Sequence, residues 1–245
     1  MNADIHTHIL PFIDDGSKSL DMSYEMLKQM EADQITTVIA TPHFNFMKDN
    51  LETFLNQRES SLKKVKEMIK INNLNIKVLK GTELLFGPGI TDLDLNDHTL
   101  GDTDYILIEF STKKKSSNVL SSLENILAQG FIPILAHMER YSFLLEDGDL
   151  MIQLIQMGVL FQVNAETIIK DPKLSQKLFK KNLIHFIASD THNTGKRNSN
   201  MKTALNLLSE TQNSLIRHNT QQLIDNELIE VLKPKKLNKL FNKYF

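Results

Sequence analysis

The chain has 245 residues, is 41% hydrophobic, and carries 28 lysines and arginines against 30 aspartates and glutamates, a formal net charge of -2 at pH 7. So even a balance excludes a global electrostatic footprint for nucleic acid or for an anionic membrane, and any basic function must be local. There is no cysteine, which excludes disulfides, thiolate metal ligands and a cysteine nucleophile together.

The first strand begins at about Asn2 and carries Asp4-Ile5-His6-Thr7-His8. Residues i and i+2 of a strand face one side, so His6 and His8 can direct both imidazoles to one metal ion, with Asp4 behind them on that face. A strand this early leaves no room for a charged n-region and an apolar h-region. No later run reaches the ~20 apolar residues that cross a bilayer, so a soluble, cytoplasmic protein without stable membrane insertion is expected. Pro11 and Asp15-Gly16 mark a loop, after which Ser19 caps a helix with Leu20, Tyr24, Leu27 and Met30 on its apolar face. Ile35 to Ala40 is a second strand ending in Thr41-Pro42-His43. A long helix over 51–71 follows, with Leu51, Leu55, Arg58, Leu62, Val65 and Ile69 on one stripe.

Strand three, Ile76 to Lys80, gives out at Gly81-Thr82-Glu83, and strand four, Tyr105 to Ile108, at Glu109. Strand five, Ile132 to Ala136, leads to His137-Met138-Glu139-Arg140-Tyr141; strand six, Val159 to Val163, to Asn164; strand seven, Ile184 to Ala188, to Ser189-Asp190-Thr191-His192. Helical stretches near 117–129, 149–157, 173–181 and 200–212 separate these strands, the βαβ alternation of a parallel barrel. No break in composition divides the chain, and one domain over 1–245 is expected.

Catalytic groups in such barrels sit at the C-terminal strand ends, where the loops converge on one mouth. Here those ends supply His6, His8, His43, Glu83, Glu109, His137, Asp190 and His192, which takes five of the eight histidines. Imidazoles and carboxylates without thiolates suit manganese, iron or zinc. A shared carboxylate such as Glu83 can hold two ions ~3.5–4 Å apart, lowering the pKa of a bridging water and neutralising a phosphoryl group. Arg140 and Arg197 follow His137 and His192 by three and five residues and can fork onto phosphate oxygens; each alone reads equally well as a surface ion pair.

These residues match a known pattern. Asp4-Ile5-His6-Thr7-His8, Ile13-Asp14-Asp15-Gly16, Ala40-Thr41-Pro42-His43, Gly81-Thr82-Glu83, Ile108-Glu109-Phe110, Ala136-His137-Met138-Glu139-Arg140-Tyr141 and Ser189-Asp190-Thr191-His192-Asn193 occur in order from residue 4 to residue 193. In them the chain resembles the polymerase-and-histidinol-phosphatase (PHP) superfamily, and within it the bacterial manganese-dependent tyrosine-protein phosphatases of capsule and exopolysaccharide loci. The resemblance implies an α/β fold, a distorted (β/α)7 TIM-like barrel, with a three-ion manganese centre in which iron or zinc can substitute. By position, His6, His8, Glu83 and Asp190 match the ligands of one ion; Glu83 bridges to a second held by Glu109 and His137; Asp15, His43 and His192 match the ligands of the third. Arg140 and Arg197 match the phosphate-binding arginines. Asp15 comes from the resemblance alone, because Asp-Asp-Gly is equally a turn. Met138 stands where relatives commonly have proline and Phe12 where glycine is frequent, departures that bear on loop shape and substrate fit.

The expectation is therefore a non-cysteine, metal-dependent phosphomonoesterase in which a metal-bound hydroxide attacks phosphotyrosine on the tail of a bacterial polysaccharide-export tyrosine kinase. The alternatives are a small-molecule phosphatase such as histidinol-phosphate phosphatase and a catalytically silent scaffold barrel. No nucleic-acid partner is expected, and the oligomeric state is left open. His185 alternates out of phase with the strand-seven ligands and reads as structural, His98 and His218 as solvated. Lys113-Lys114-Lys115 reads as a solvated loop, and the basic, amphipathic ending Lys233 to Phe241 as a packed terminal helix.

Overall fold

A computed structural model describes residues 2–112 and 118–235. The Lys113-Lys114-Lys115 loop and residues 236–241 of the expected terminal helix lie outside the described residues.

Strands β1 (Ala3–Thr7), β2 (Thr37–Ala40), β3 (His43–Phe44), β4 (Lys77–Lys80), β5 (Glu83–Leu85), β6 (Tyr105–Glu109), β7 (Ile132–Leu135), β8 (Leu160–Asn164) and β9 (Phe186–Ala188) pair in parallel. They occupy seven positions. The second is broken at Thr41-Pro42 into β2 and β3, the third at Gly81-Thr82 into β4 and β5, which yields sheets β1-β2-β4 and β3-β5-β6-β7-β8-β9. A Thr7–Thr191 bridge, with the Asp190 N–H on the His6 carbonyl and the His8 N–H on the Thr191 carbonyl, closes the ring between β9 and β1. The result is the distorted (β/α)7 TIM-like barrel.

Period-two alternation decides what lines it. On β6, Ile106 and Ile108 pack outward into the shell under the helices, while Tyr105 and Leu107 join Ile39, Ile134, Leu160 and Phe186 inside. Glu109 continues the inward row past the end of the apolar run. On β1 the register slips between Asp4 and Thr7, and both Ile5 and His6 turn inward, the re-aiming a bulge provides.

Helices α1 (Leu20–Ala32) and α2 (Leu51–Ile71) pack on each other and on the first strands. Ser19 caps α1 as expected. In α2 the arginine of the apolar stripe is buried: Arg58 donates to Thr82 Oγ1 at 2.9 Å and to the Asp97 carbonyl at 2.7 Å, tying down the break that precedes Glu83. Then come α3 (Val119–Ala128), α4 (Ser142–Glu146), α5 (Gly148–Met157), α6 (Ala165–Lys170), α7 (Pro172–Lys180), α8 (Met201–Asn206) and α9 (Glu210–Ile224).

Two expectations are corrected. The stretch 200–212 is not one helix: Ser209 and Gln212 form a capping box that starts α9, which runs on to Ile224 and plugs the barrel floor with Leu223. His98 is not solvated. It closes a 3-10 turn over Leu95–His98 and stacks on Phe44 at 5.0 Å, and burial, followed by the Arg58 charge, pushes its imidazole down to about 4. His218 is exposed, and His185 is buried with its Nδ1 accepting the Phe161 N–H at 3.0 Å.

Candidate metal centre

All nine expected ligating side chains meet at the C-terminal mouth of the barrel. His6 Nε2 and His8 Nε2 are 3.2 Å apart, and lie 3.0 and 3.2 Å from Glu83 Oε2 and 3.6 and 3.5 Å from Asp190 Oδ1. The other Glu83 oxygen is 2.9 Å from His137 Nε2. His43 Nδ1 lies 3.0 Å from both Glu83 Oε2 and Glu109 Oε1, while Asp15 Oδ1 is 3.2 Å from His192 Nε2 and 3.5 Å from His43 Nε2. Among the described residues, four overlapping groups could hold a metal ion: His6, His8 and Asp190; His6, Glu83 and His137; His43, Glu83 and Glu109; and His8, Asp15, His43 and His192. The resemblance implied a cleaner partition, with Glu109 beside His137 and without His8 in the outer group.

The histidines are aimed from behind. His8 Nδ1 donates to Asp14 Oδ2 at 2.7 Å, His6 Nδ1 to Gln162 Oε1 at 3.1 Å, and His192 Nδ1 to the Asp190 carbonyl at 2.9 Å. Those acceptors cannot donate, so Nδ1 carries the proton and Nε2 is the ligating nitrogen. His137 Nδ1 lies 3.1 Å from the Tyr141 hydroxyl, whose oxygen also accepts the Phe110 N–H. In front, Glu83 Oε2 and His192 Nε2 are buried yet make no hydrogen bond, although nitrogen or oxygen atoms stand 3.0–3.2 Å away. The atoms converge on a shared space rather than on one another, and a divalent cation fits that donor set.

Electrostatics agree with this arrangement. Burial pushes the Glu83 carboxyl up, but the His6 and His43 charges hold it well below the ordinary range. Asp190 is likewise held low against its burial, first by His6. His43, opposed by burial, is pushed up to about 10, chiefly by Glu83, so a cation entering the metal-free chain displaces protons. Burial, with His8 beside it, lowers His192 to about 4 and leaves it a neutral ligand.

Local backbone makes the mouth. His137 and Asp190 turn off their strands at φ 33 and 53, left-handed conformations that non-glycine residues adopt at a cost and that persist where surrounding bonds enforce them. Gly16 is required: a Cβ there would lie 2.3 Å from the His8 carbonyl oxygen. Arg140 Nη2 reaches Asp190 Oδ2 at 2.8 Å, and Arg197 Nη2 reaches both Asp190 oxygens at 3.1 Å. Both arginines line, with Leu85 and Phe110, a cavity of about 430 Å³ that opens onto His43, Glu109 and His137.

Three contributors escaped sequence reasoning. Asp14 was read only as part of a turn, yet its carboxylate, lowered to about 2 against burial by His8, holds His8 and accepts the His43 N–H at 3.1 Å. Gln162 and Asn164 are polar at i and i+2 in an apolar strand, a signal that marks an inward-facing polar pair. Asp4, which the sequence places behind His6 and His8, is buried and off the metal-binding groups; its Oδ1 accepts the His6 and Ser189 N–H groups.

The profile of the family described as capsular polysaccharide synthesis, CpsB/CapC, matches residues 2–230. The chain is 33% identical over 255 aligned positions to tyrosine-protein phosphatase YwqE of Bacillus subtilis (strain 168), covering 97% of this chain and 98% of that protein. It is 30% identical to tyrosine-protein phosphatase CpsB of Streptococcus agalactiae, covering 92% and 99%. Among solved structures, it superposes with a TM-score of 0.87 and 29% identity, over 96% of this chain and 99% of the other. That match comes from the crystal structures of YwqE from Bacillus subtilis and CpsB from Streptococcus pneumoniae, described as unique metal-dependent tyrosine phosphatases.

Proposed function

The chain belongs to the CpsB/CapC family of capsular polysaccharide synthesis, and from that premise we propose that it is a metal-dependent protein-tyrosine phosphatase. Its substrate is the phosphorylated, tyrosine-rich tail of a kinase that controls polysaccharide export, and it works in the cytoplasm as one domain over residues 1–245. Among the described residues no helix is long and apolar enough to cross a membrane.

What carries this reading is the pair of Nε2 atoms of His6 and His8, fixed from behind by Gln162 and Asp14, converging on Glu83 beneath a cavity lined by Arg140 and Arg197. His6, His8, Asp15, His43, Glu83, Glu109, His137, Asp190 and His192 would hold the ions, manganese by preference. Bound there, they supply Lewis acidity that activates a water and neutralises phosphoryl charge. The rest falls to the chain. Arg140 and Arg197, now resting on the Asp190 carboxylate, exchange it for the phosphoryl oxygens and meet the charge that grows on them in the transition state. Leu85, half-exposed in the cavity wall, offers the aromatic ring an apolar surface. With no cysteine in the chain, no phosphocysteine forms and water attacks phosphorus directly.

The test compares metal-stripped and manganese-reconstituted protein on a phosphotyrosyl peptide of such a tail and on histidinol phosphate. Manganese-dependent turnover that favours the peptide is expected. Preference for histidinol phosphate would reassign the substrate, and absence of turnover on both would leave a scaffold.

A further inference from the structure

Gln162 lies on the inner face of β8, is fully buried and belongs to none of the metal-binding groups. Its Oε1 accepts the His137 backbone N–H at 2.8 Å and faces His6 Nδ1 at 3.1 Å. The first of these bonds settles the orientation of the amide, since a backbone N–H can only donate; flipped, the Gln162 NH2 group would meet another donor. Its Nε2 then donates to Asn164 Oδ1 at 2.9 Å, and Asn164 Nδ2 donates to Asp190 Oδ2 at 2.9 Å. Two buried amides thus end on three ligating residues from three strands. No bond of this relay reaches Asp15 or His43, and His192 meets only its far end, through the Asp190 carbonyl.

We infer that Gln162 is a positioning residue that couples the inner metal-binding groups. It holds the proton of His6 on Nδ1, fixes the left-handed backbone of His137 and, through Asn164, orients Asp190. The ions that use His6, His137 and Asp190 then bind as a linked set, while the group of His8, Asp15, His43 and His192, which shares His8 with them, takes no bond from Gln162 or Asn164 and depends on the relay least. Buried, fully satisfied networks of this kind favour one geometry because each bond left unmade carries a desolvation penalty.

This inference rests on the proposed metal centre, and its test is a Mn2+ titration of the metal-free chain in which unbound ion is followed by electron paramagnetic resonance. Gln162→Met keeps the length of the side chain but offers neither acceptor nor donor. It is expected to weaken the inner ions together by ~10–100-fold, the range for loss of a partner behind a ligand, and to weaken the outer group, which shares only His8 with the set of His6, His8 and Asp190, by much less. Gln162→Glu retains the acceptor for His6 and His137 and should recover most of the inner affinity. Asn164→Ala cuts only the Asp190 branch and should weaken the inner ions by less than Gln162→Met; it carries the test if far-ultraviolet circular dichroism finds Gln162→Met unfolded. Equal isotherms for wild type and these variants, or a uniform drop at every site, would overturn the coupling. A wild-type chain that takes up no Mn2+ would instead overturn the metal centre itself.

Discussion

His6, His8, Glu83, His137 and Asp190 are each no more than 3% exposed, whereas the side chains of Asp15, Arg140 and Arg197 are 64%, 38% and 37% exposed. The two halves of the mouth differ in their support as much as in their depth. Every inner imidazole leans on a protein group behind it: an amide, a carboxylate or a phenol. In the outer half, His43 has a carboxylate at each ring nitrogen, His192 is buried on the Asp190 carbonyl, and among the described residues the arginines pair with Asp190 and Asp15. Buried charges are tolerated only when paired and bonded, so the inner half must be assembled by the fold. The outer half keeps groups that can change partner when a phosphate arrives.

Breaking the inner half should have the largest effect. Glu83 is shared between two metal-binding groups, and Glu83→Gln removes a charge from both. Turnover on phosphotyrosyl peptide should fall by at least ~10³, the scale of several kcal/mol of Lewis-acid stabilisation, with bound metal falling in parallel. A Glu83→Gln protein that kept full metal content and activity would remove the carboxylate from the centre.

Next comes the outer half. Arg140→Ala should lower turnover by ~10²–10³ while bound metal and thermal midpoint stay near wild type, since Arg140 is itself 38% exposed and Arg197 still pairs with Asp190. Arg140→Lys should not rescue, because a point charge lacks the two-point fork. Near-normal turnover in Arg140→Ala would leave phosphate to the ions and Arg197.

A smaller loss should follow from Asp14→Ala, which strips His8 of its support without touching the converging nitrogens. Metal affinity should drop ~10–100-fold, with turnover restored at high manganese. A turnover defect that saturating metal leaves uncorrected would place Asp14 in the chemistry instead.

The smallest effect lies outside both halves and gives their baseline. Burial holds His98 and His185 at about 4, so each is neutral in the folded chain and protonated in the unfolded one between pH 4 and 6.5. In that window the unfolded state binds more protons, so stability rises with pH and is lost as the pH drops from 6.5 towards 4, by up to ~1.4 kcal/mol per unit for each histidine. His98→Phe, stacked on Phe44, should flatten this slope in urea unfolding at pH 5 and 7. An unchanged slope would mean that His98 does not titrate on unfolding.

Where sequence reading succeeded, local periodicity was sufficient. His6 with His8, Glu109 past Leu107, and His137 past the β7 run follow from strand ends and alternation. Asp15 needed the resemblance, because a loop carboxylate has no period. Gln162 and Asp14 were missed as partners because their roles exist only in three dimensions: the amide meets His6 across 156 residues of chain. His98 misled because Asn96 and Asp97 suggest solvent, while the 3-10 turn that rotates its ring onto Phe44 leaves no pattern. Helix α9 was missed beyond residue 212 for its weak apolar stripe, although Ser209 and Gln212 announce its start.

The seam between β9 and β1 has a consequence for how the protein is made. Its bonds run from Ser189, Asp190 and His8 to Asp4, His6 and Thr191, so the barrel closes through the residues that build the centre. His6 and His8 leave the ribosome before the other ligating residues, and Asp190 and His192 emerge only 184 residues after them, roughly 10–40 s later at ~5–20 residues per second. Throughout that interval β1 has a pairing partner on one side only, and no ligand set that includes Asp190 or His192 can exist. A nascent chain stalled before Ser189 therefore carries an open strand edge and an incomplete cage, however much manganese surrounds it.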